Sequence, residues 1–326
     1  AQRIRQAARH GCQVIALDSV ERDWAIPVKH LLKHAASQWV QALGGIAAAV
    51  AQEKGVAGPA GSFVIDDAAT AVARSLMAGE RKAVLLGNAA AHHAQAAQLL
   101  ALANWIGEHT GATVGYLTEA ANTVGAQFVG AHPVKGGLNA AQMLSGGLKA
   151  VLLLNNEPVH DSSVGARATD ALSGAEMVVT LSPFKANMEF SDVLLPIAPF
   201  TETSGSFINA EGRLQSFHAV VRPLGDTRPA WKVLRVLANM LEIPGFDFET
   251  SQDVLVRATN AAPGAFSQID ATQLSNAVTG GVTASVSGAV GEPVVASIYQ
   301  LDGLVRRSPS LQLTADARMA REEVAA

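Results

Sequence analysis

"SDVLLPIAPFTETSGSFINAEGRLQSF", residues 191–217, decides how this chain reads. It opens as a buried strand, Val193, Leu194 and Leu195, closed off by Pro196. It then becomes a polar run carrying Glu202, Gly205, Asn209, Glu211, Gly212 and Arg213. Apolar strands that end in polar, glycine-bearing loops build ligand sites in α/β proteins. Outward from this stretch the same grammar repeats. Upstream lie apolar runs at Met177–Leu181, Ala150–Leu154, Thr113–Leu117 and Lys82–Leu86. Between them are helical patterns at Val164–Leu172, Asn139–Leu144 (ended by Gly146-Gly147) and His92–Glu108, the last with Leu99, Leu102, Ala103 and Ile106 on one face. Asp66–Ala78 reads as a helix with acids at its start, and Trp231–Leu241 as a closing helix. Strands that are apolar throughout and alternate with helices predict a Rossmann-like α/β fold. Its parallel sheet is expected to carry helices on both faces.

Nearer the N-terminus, "AQRIRQAARHG" reads as the last turns of a helix stopped by Gly11, so the chain is expected to be a segment whose beginning is missing. Cys12–Leu17 reads as a short strand ending at Asp18, with Cys12 buried, and Val40–Gln52 as an Ala-rich helix. The Gly/Pro/Ser-rich connector 53–62 is the best early boundary. The expected division is residues 1–62 as the end of a preceding α/β domain, 63–245 as the main α/β domain, and 246–326 as a C-terminal extension. Within the extension, 262–291 is small and polar and reads as an extended, poorly packed, weakly structured tail. Residues 298–307, "IYQLDGLVRR", are expected to dock again through Ile298, Tyr299, Leu301 and Leu304.

Composition narrows the function classes. With 326 residues, 49% hydrophobic and 16% charged, the chain can bury a sizeable core. A net charge of −4 argues against a nucleic-acid or anionic-membrane surface. One cysteine cannot make an internal disulfide, a CxxC zinc site or a four-cysteine iron–sulfur cluster. No run reaches the about 18 apolar residues of a membrane-spanning helix. His92-His93 reads as a solvated helix start, and His109, His132, His160 and His218 show no metal-ligand spacing. Ser204-Gly205-Ser206 is no nucleophile elbow, and neither Gly44-Gly45 nor Gly136-Gly137 belongs to a dinucleotide fingerprint. The loops after the strands at 82–86, 150–154 and 192–195 are the best placed for a ligand. On these features alone, a binding module for a nucleotide-like ligand stays open.

The opening stretch also carries a resemblance. It is similar to the motif of the molybdopterin oxidoreductase superfamily, an A-D-V-V-L-P strand followed by E-x-x-G-T-F-x-N-x-E-G-R-x-Q. Asp192, Pro196, Glu202, Gly205, Phe207, Asn209, Glu211, Gly212, Arg213 and Gln215 fall in register. Residues 85–126 resemble the superfamily's segment that binds or backs the pterin. "YLTEAANTVGA", "LLLNNEPVHD" and "IYQLDGLVRRSPSLQLTADAR" more closely resemble the large iron–sulfur subunit of NADH-quinone oxidoreductase, respiratory complex I. The resemblance covers nearly the whole chain and is weakest at 245–290.

Departures from the catalytic members matter equally. Their strand matching Val151–Leu154 ends in G-x-N-P, which approaches the nucleotide tail of the pterin. Here the loop reads Asn155-Asn156-Glu157-Pro158. Asn155 hinders close backbone approach, and Glu157 sets a carboxylate near an anionic pyrophosphate. Their Asp-Pro-Arg is Asp18-Ser19-Val20 here, without the arginine. The resemblance therefore implies a C-terminal scaffold portion of that large iron–sulfur subunit, with no catalytic residues, no metal and no molybdopterin. The parent's [4Fe-4S] and [2Fe-2S] clusters would lie upstream of Ala1. Other peripheral-arm subunits of complex I are the implied partners, with no nucleic acid and no direct membrane span. The implied location is peripheral, on the cytoplasmic side of a bacterial inner membrane or the matrix side in a mitochondrion. A fragment of a molybdopterin enzyme of the formate dehydrogenase or nitrate reductase type is the alternative. Asn155, Asn156, Glu157, Glu202, Gly205, Asn209, Gly212 and Arg213 are then vestiges of a pterin loop. Gly205 and Gly212 would permit tight turns, and Glu202, Glu211 and Arg213 would pair to hold the loop on the sheet edge.

Overall fold

The computed structural model describes residues 2–22, 24–270, 273–276 and 297–319. They belong to two compact units. One is drawn from 2–120 with 270 and 273–276, the other from 121–269 with 297–319.

In the first unit, α1 (Gln2–Arg9) leads to strand β1 (Ile15–Asp18), which pairs in parallel with β2 (His30–Lys33). Helices α2 (Trp39–Lys54) and α3 (Asp67–Ala78) follow, then β3 (Ala83–Leu86), α4 (Asn88–Ala91), α5 (Ala96–Thr110) and β4 (Thr113–Tyr116). β3 and β4 are parallel, with Val84 opposite Val114. Trp39, Val40, Ile46, Val50, Val72, Leu99, Leu102 and Ile106 share one core, so both sides of the 53–62 connector contribute to it. Gly44 and Gly45 have a packing role. A Cβ on Gly45 would sit 2.5 Å from the Val64 carbonyl oxygen, and one on Gly44 would enter the Phe63 ring.

Two expectations fail in this unit. Cys12 is exposed, not buried in a strand. Its N–H donates to the Ala7 carbonyl, so it closes the end of α1, and β1 begins three residues later. His93 is buried rather than solvated, because a break between α4 and α5 turns its ring inward. Its Nδ1 accepts the Gln95 N–H at 2.9 Å, which leaves Nε2 to donate to the Ala36 carbonyl at 3.0 Å. The ring also stacks on Trp39. His92 does stay exposed, beside Glu119.

The second unit begins with α6 (Thr123–Phe128) and α7 (Ala140–Met143), the latter closed by an Asn139/Gln142 capping box. β5 (Ala150–Leu154), α8 (Pro158–Asp161), α9 (Arg167–Ser173), β6 (Met177–Ser182) and β7 (Val193–Pro196) then build a parallel sheet with β6 in the middle. Register sets Val151 opposite Val178 and Leu181 opposite Leu195. Val151, Leu153 and Val178 pack with Leu172 and Phe190 on one face, while Leu152, Leu154, Met177 and Val193 of the other face are exposed. Crossovers of this length permit parallel pairing, and apolar residues at every position suit it. The chain is an α/β protein with parallel sheets and helices, as its pattern of strands and helices predicts.

Residues 205–217 depart from the expected loop. They form an antiparallel hairpin of β8 (Gly205–Ile208) and β9 (Leu214–Phe217). Helices α10 (Ala230–Met240) and α11 (Ser251–Thr259) follow. The supposedly unpacked tail is anchored at its start. Leu214 donates to the Ser267 carbonyl, Ile269 donates to the Gly212 carbonyl, and Ile269 is buried. Residues 271–272 and 277–291 of that tail lie outside the described residues. The last segment includes the short helices α12 (Ile298–Leu301), α13 (Gly303–Arg307) and α14 (Pro309–Gln312), with further helical residues at 315–319. Contrary to expectation, Ile298, Leu301 and Leu304 are exposed and Tyr299 only half-buried. The side chains that tie this segment down are arginines.

Candidate functional site

The carboxyl ends of β5, β6 and β7 point to one edge of the second unit's sheet, the edge at which open α/β sheets present their loops. Asn155 continues β5 by donating its N–H to the Leu181 carbonyl, then turns the chain with φ at +48°. Asparagine tolerates this left-handed conformation better than most residues. Asn187, in the loop after β6, also has positive φ, and its side-chain amide donates to the Asn156 carbonyl at 2.9 Å. Thr180 and Ser191 hydroxyls lie 2.7 Å apart below this junction, and Ser182 Oγ accepts the Phe184 N–H. The two loops are thereby bonded to each other.

Glu157 sits just beyond, at the start of α8, with its N–H donated to the carboxylate of Asp161 at the end of that helix. Both of its own carboxylate oxygens are engaged. Oε1 lies 3.0 Å from the Arg306 guanidinium, and Oε2 accepts from Arg307 at 2.8 Å. Glu157 and Arg306 side chains are only 15% and 14% exposed, so this pairing is well shielded from solvent. Arg307 also lies over the Phe184 ring, 4.2 Å from its centroid. Burial pushes the Glu157 carboxyl upward, but hydrogen bonds and charge from Arg307 and Arg306 outweigh it and hold the group below the usual range. Burial, then the charge of Arg306, holds His160 below the ordinary imidazole value.

The remaining predicted residues lie in the hairpin. Asn209 organises it: Oδ1 accepts the N–H groups of Glu211 and Arg213, both at 3.0 Å. Its backbone N–H donates to the Arg213 carbonyl, and Gly212 adopts φ +79° to complete the turn. Gly205 serves packing instead of a turn, since a Cβ there would sit 2.7 Å from the Phe217 ring. Asn122 of "EAANTVGA" accepts the Ile208 N–H at 2.8 Å, and Gly125 leaves room for it. The expected pairing of Arg213 with Glu202 and Glu211 does not form. Glu202 accepts the Leu224 N–H, and the exposed Arg213 guanidinium makes no ion pair among the described residues.

Two of the three loops predicted for a ligand, after β5 and β7, belong to this unit; the loop after β3 belongs to the other. Asp18 closes its own loop, accepting the Ser19 N–H and pairing with Arg22. Arg306, Arg307, Phe184 and Asn187 were not found by sequence reasoning. An "RR" at a helix end reads as dipole compensation, and nothing in the pattern links it to a carboxylate 150 positions away. Among the described residues no cluster of three or more His, Cys, Asp or Glu could hold a metal ion, and no helix is long and apolar enough to cross a membrane.

Comparison with known proteins agrees with this frame. A probable oxidoreductase, YjgC of Bacillus subtilis (strain 168), is 37% identical over 75 residues, 23% of this chain and 8% of that protein. A putative formate dehydrogenase, SAB2186c of Staphylococcus aureus (strain bovine RF122 / ET3-1), is 42% identical over 59 residues, 18% of this chain and 6% of the relative. The chain thus matches only a small part of the length of these curated relatives. The Molybdopterin oxidoreductase family model matches residues 1–240, ending where α10 ends. With well over half of its length matched, the chain belongs to the molybdopterin oxidoreductase family.

Proposed function

We propose that this chain is the C-terminal scaffold portion of the large iron–sulfur subunit of NADH-quinone oxidoreductase, supporting electron transfer from NADH to quinone coupled to proton translocation. The observation that carries this reading is the state of Glu157. Its carboxylate occupies the loop edge of the sheet, and both oxygens are committed to Arg306 and Arg307. The edge does not fit an anionic pterin nucleotide. Arg306 and Arg307 are already paired with Glu157, and Asn155 brings a side chain to a backbone turn where close approach needs none. A domain that keeps its α/β frame and fills its ligand edge with its own side chains suits a supporting role. On this reading the [4Fe-4S] and [2Fe-2S] clusters belong to residues preceding Ala1, no molybdopterin is retained, and other peripheral-arm subunits cover the chain. It would lie peripherally on the cytoplasmic face of a bacterial inner membrane, or on the matrix side in a mitochondrion.

The putative formate dehydrogenases among the relatives favour a second reading, a fragment of a molybdopterin-dependent oxidoreductase. Elemental and pterin analysis of the intact parent separates the two. Iron and acid-labile sulfide without molybdenum, together with NADH-to-quinone turnover, is the expected result. Stoichiometric molybdenum with an extractable pterin would establish the second reading in its place.

A further inference from the structure

The C-terminal segment meets the sheet edge through charge. Its large apolar side chains do not hold it, because Ile298, Leu301, Leu304, Leu311 and Leu313 are all exposed. Ala317 is its one fully buried apolar residue among those described, and it offers a single methyl group. The segment's shape is set by its own bonds. Asp302 caps α13 by accepting from Leu304 and Val305, the Gln312 side chain donates to the Tyr299 and Val305 carbonyls, and Arg306 donates to Gln300 and Leu301. Its grip on the sheet edge centres on Glu157, with Arg307 laid on Phe184 and Gly303 close to the same ring. The core under the sheet, built on Leu172, Val178 and Phe190, uses no residue of this segment.

We propose that residues 297–319 form an intramolecular strap that closes the carboxyl edge of the β5–β6–β7 sheet, clasped by Glu157 between Arg306 and Arg307, and that the strap releases as a unit while the sheet beneath it stays folded. Local opening is governed by the contacts that must break, and among the described residues the charged clasp on Glu157 is prominent among them. An ion pair shielded from water is strong while both partners are present and fails when one is removed, because the other is left buried without a partner. Arg306 is held within the strap by its bonds to Gln300 and Leu301, so the clasp either engages both arginines or moves with them. The proposal rests on the geometry of this edge and is independent of the electron-transfer reading.

Hydrogen exchange measured by mass spectrometry on the 326-residue chain tests it, comparing the parent sequence with Glu157→Gln and with the double variant Arg306→Gln/Arg307→Gln. Exchange across 298–307 should quicken by about tenfold or more in both variants. Exchange across β6, 177–182, should stay unchanged. Trypsin should cut after Arg306 or Arg307 in Glu157→Gln well before it attacks the sheet. Unchanged exchange at 298–307 would show that charge does not hold the segment and would overturn the proposal. So would a parallel rise in 298–307 and 177–182, or failure of both variants to fold, since either makes the segment part of the sheet's own cooperative unit.

Discussion

The β8–β9 hairpin and the carboxyl edge of the β5–β6–β7 sheet both descend from motif-bearing stretches, yet they are held in opposite ways. The hairpin's turn is local. Asn209 and Gly212 build its turn within five residues, and Phe207 packs edge-on against Phe217 across the strands. The edge is non-local. Glu157 is satisfied by arginines about 150 positions further along the chain. Removing one group from the hairpin should therefore leave small, repairable damage, whereas removing one from the edge strands a buried charge.

The largest effect should come from Glu157→Ala, which leaves Arg306 and Arg307 facing each other without their carboxylate. A loss of about 2–4 kcal/mol in the free energy that keeps the strap closed, read by hydrogen exchange across 298–307, is expected. A loss under about 0.5 kcal/mol would erase the contrast between the two regions, since changes of that size are ordinary for surface sites.

Acid should loosen the same edge. The folded-state carboxyl of Glu157 is held low, so its contribution is complete above the unfolded value, 4.5, and is lost as pH falls through the folded value. His160 is also held low, so the folded protein resists its protonation and stability declines as pH falls below its unfolded value, 6.5. Arg306, Arg307 and Asp161 face these groups and complete the charge set. Closure of the strap, read by exchange across 298–307 relative to 177–182, should thus weaken in two stages, a shallow one below about pH 6.5 and a steeper one below about pH 4.5. Glu157→Gln should remove the second stage, and a second stage of undiminished size in that variant would assign it to other carboxylates.

Within the hairpin, Asn209→Ala removes the acceptor of two N–H groups and should lower stability by about 1–2 kcal/mol. The smallest effect is expected at Arg213. Its side chain is exposed, so Arg213→Ala should shift stability by no more than about 0.5 kcal/mol. A larger loss of melting temperature would mean that the guanidinium binds something across this surface.

What was legible in the sequence follows the same division. Apolar runs at 83–86, 113–116, 150–154 and 177–182 announced parallel strands, because a buried parallel strand needs apolar residues at every position. The hairpin was missed because its strands alternate serines with aromatics and carry glycine, which weakens the strand signal, and its third partner lies near residue 268. Cys12 was misplaced because the apolar run Val14–Leu17 begins close behind a helix end whose hydrogen bonds do not show in the sequence. His93 was misread because a helix break at 92–95 redirects it. At the candidate site, Asn155 and Glu157 stood out against the family motif, but their partners did not. A salt bridge between distant positions leaves no local pattern, and the leucines of 298–304 suggested a greasy attachment where an ionic one was built.

The open face and the flanking position of β5 bear on handling. Ala150–Leu154 carries no charge, lies at one side of its sheet, and turns Leu152 and Leu154 outward. An uncharged edge of this kind offers a template for a neighbouring molecule's backbone, and soluble proteins ordinarily guard such edges with lysine or proline. Prepared by itself, the chain should self-associate through this strand. Light scattering should grow with concentration, and a single Leu152→Lys change should suppress it.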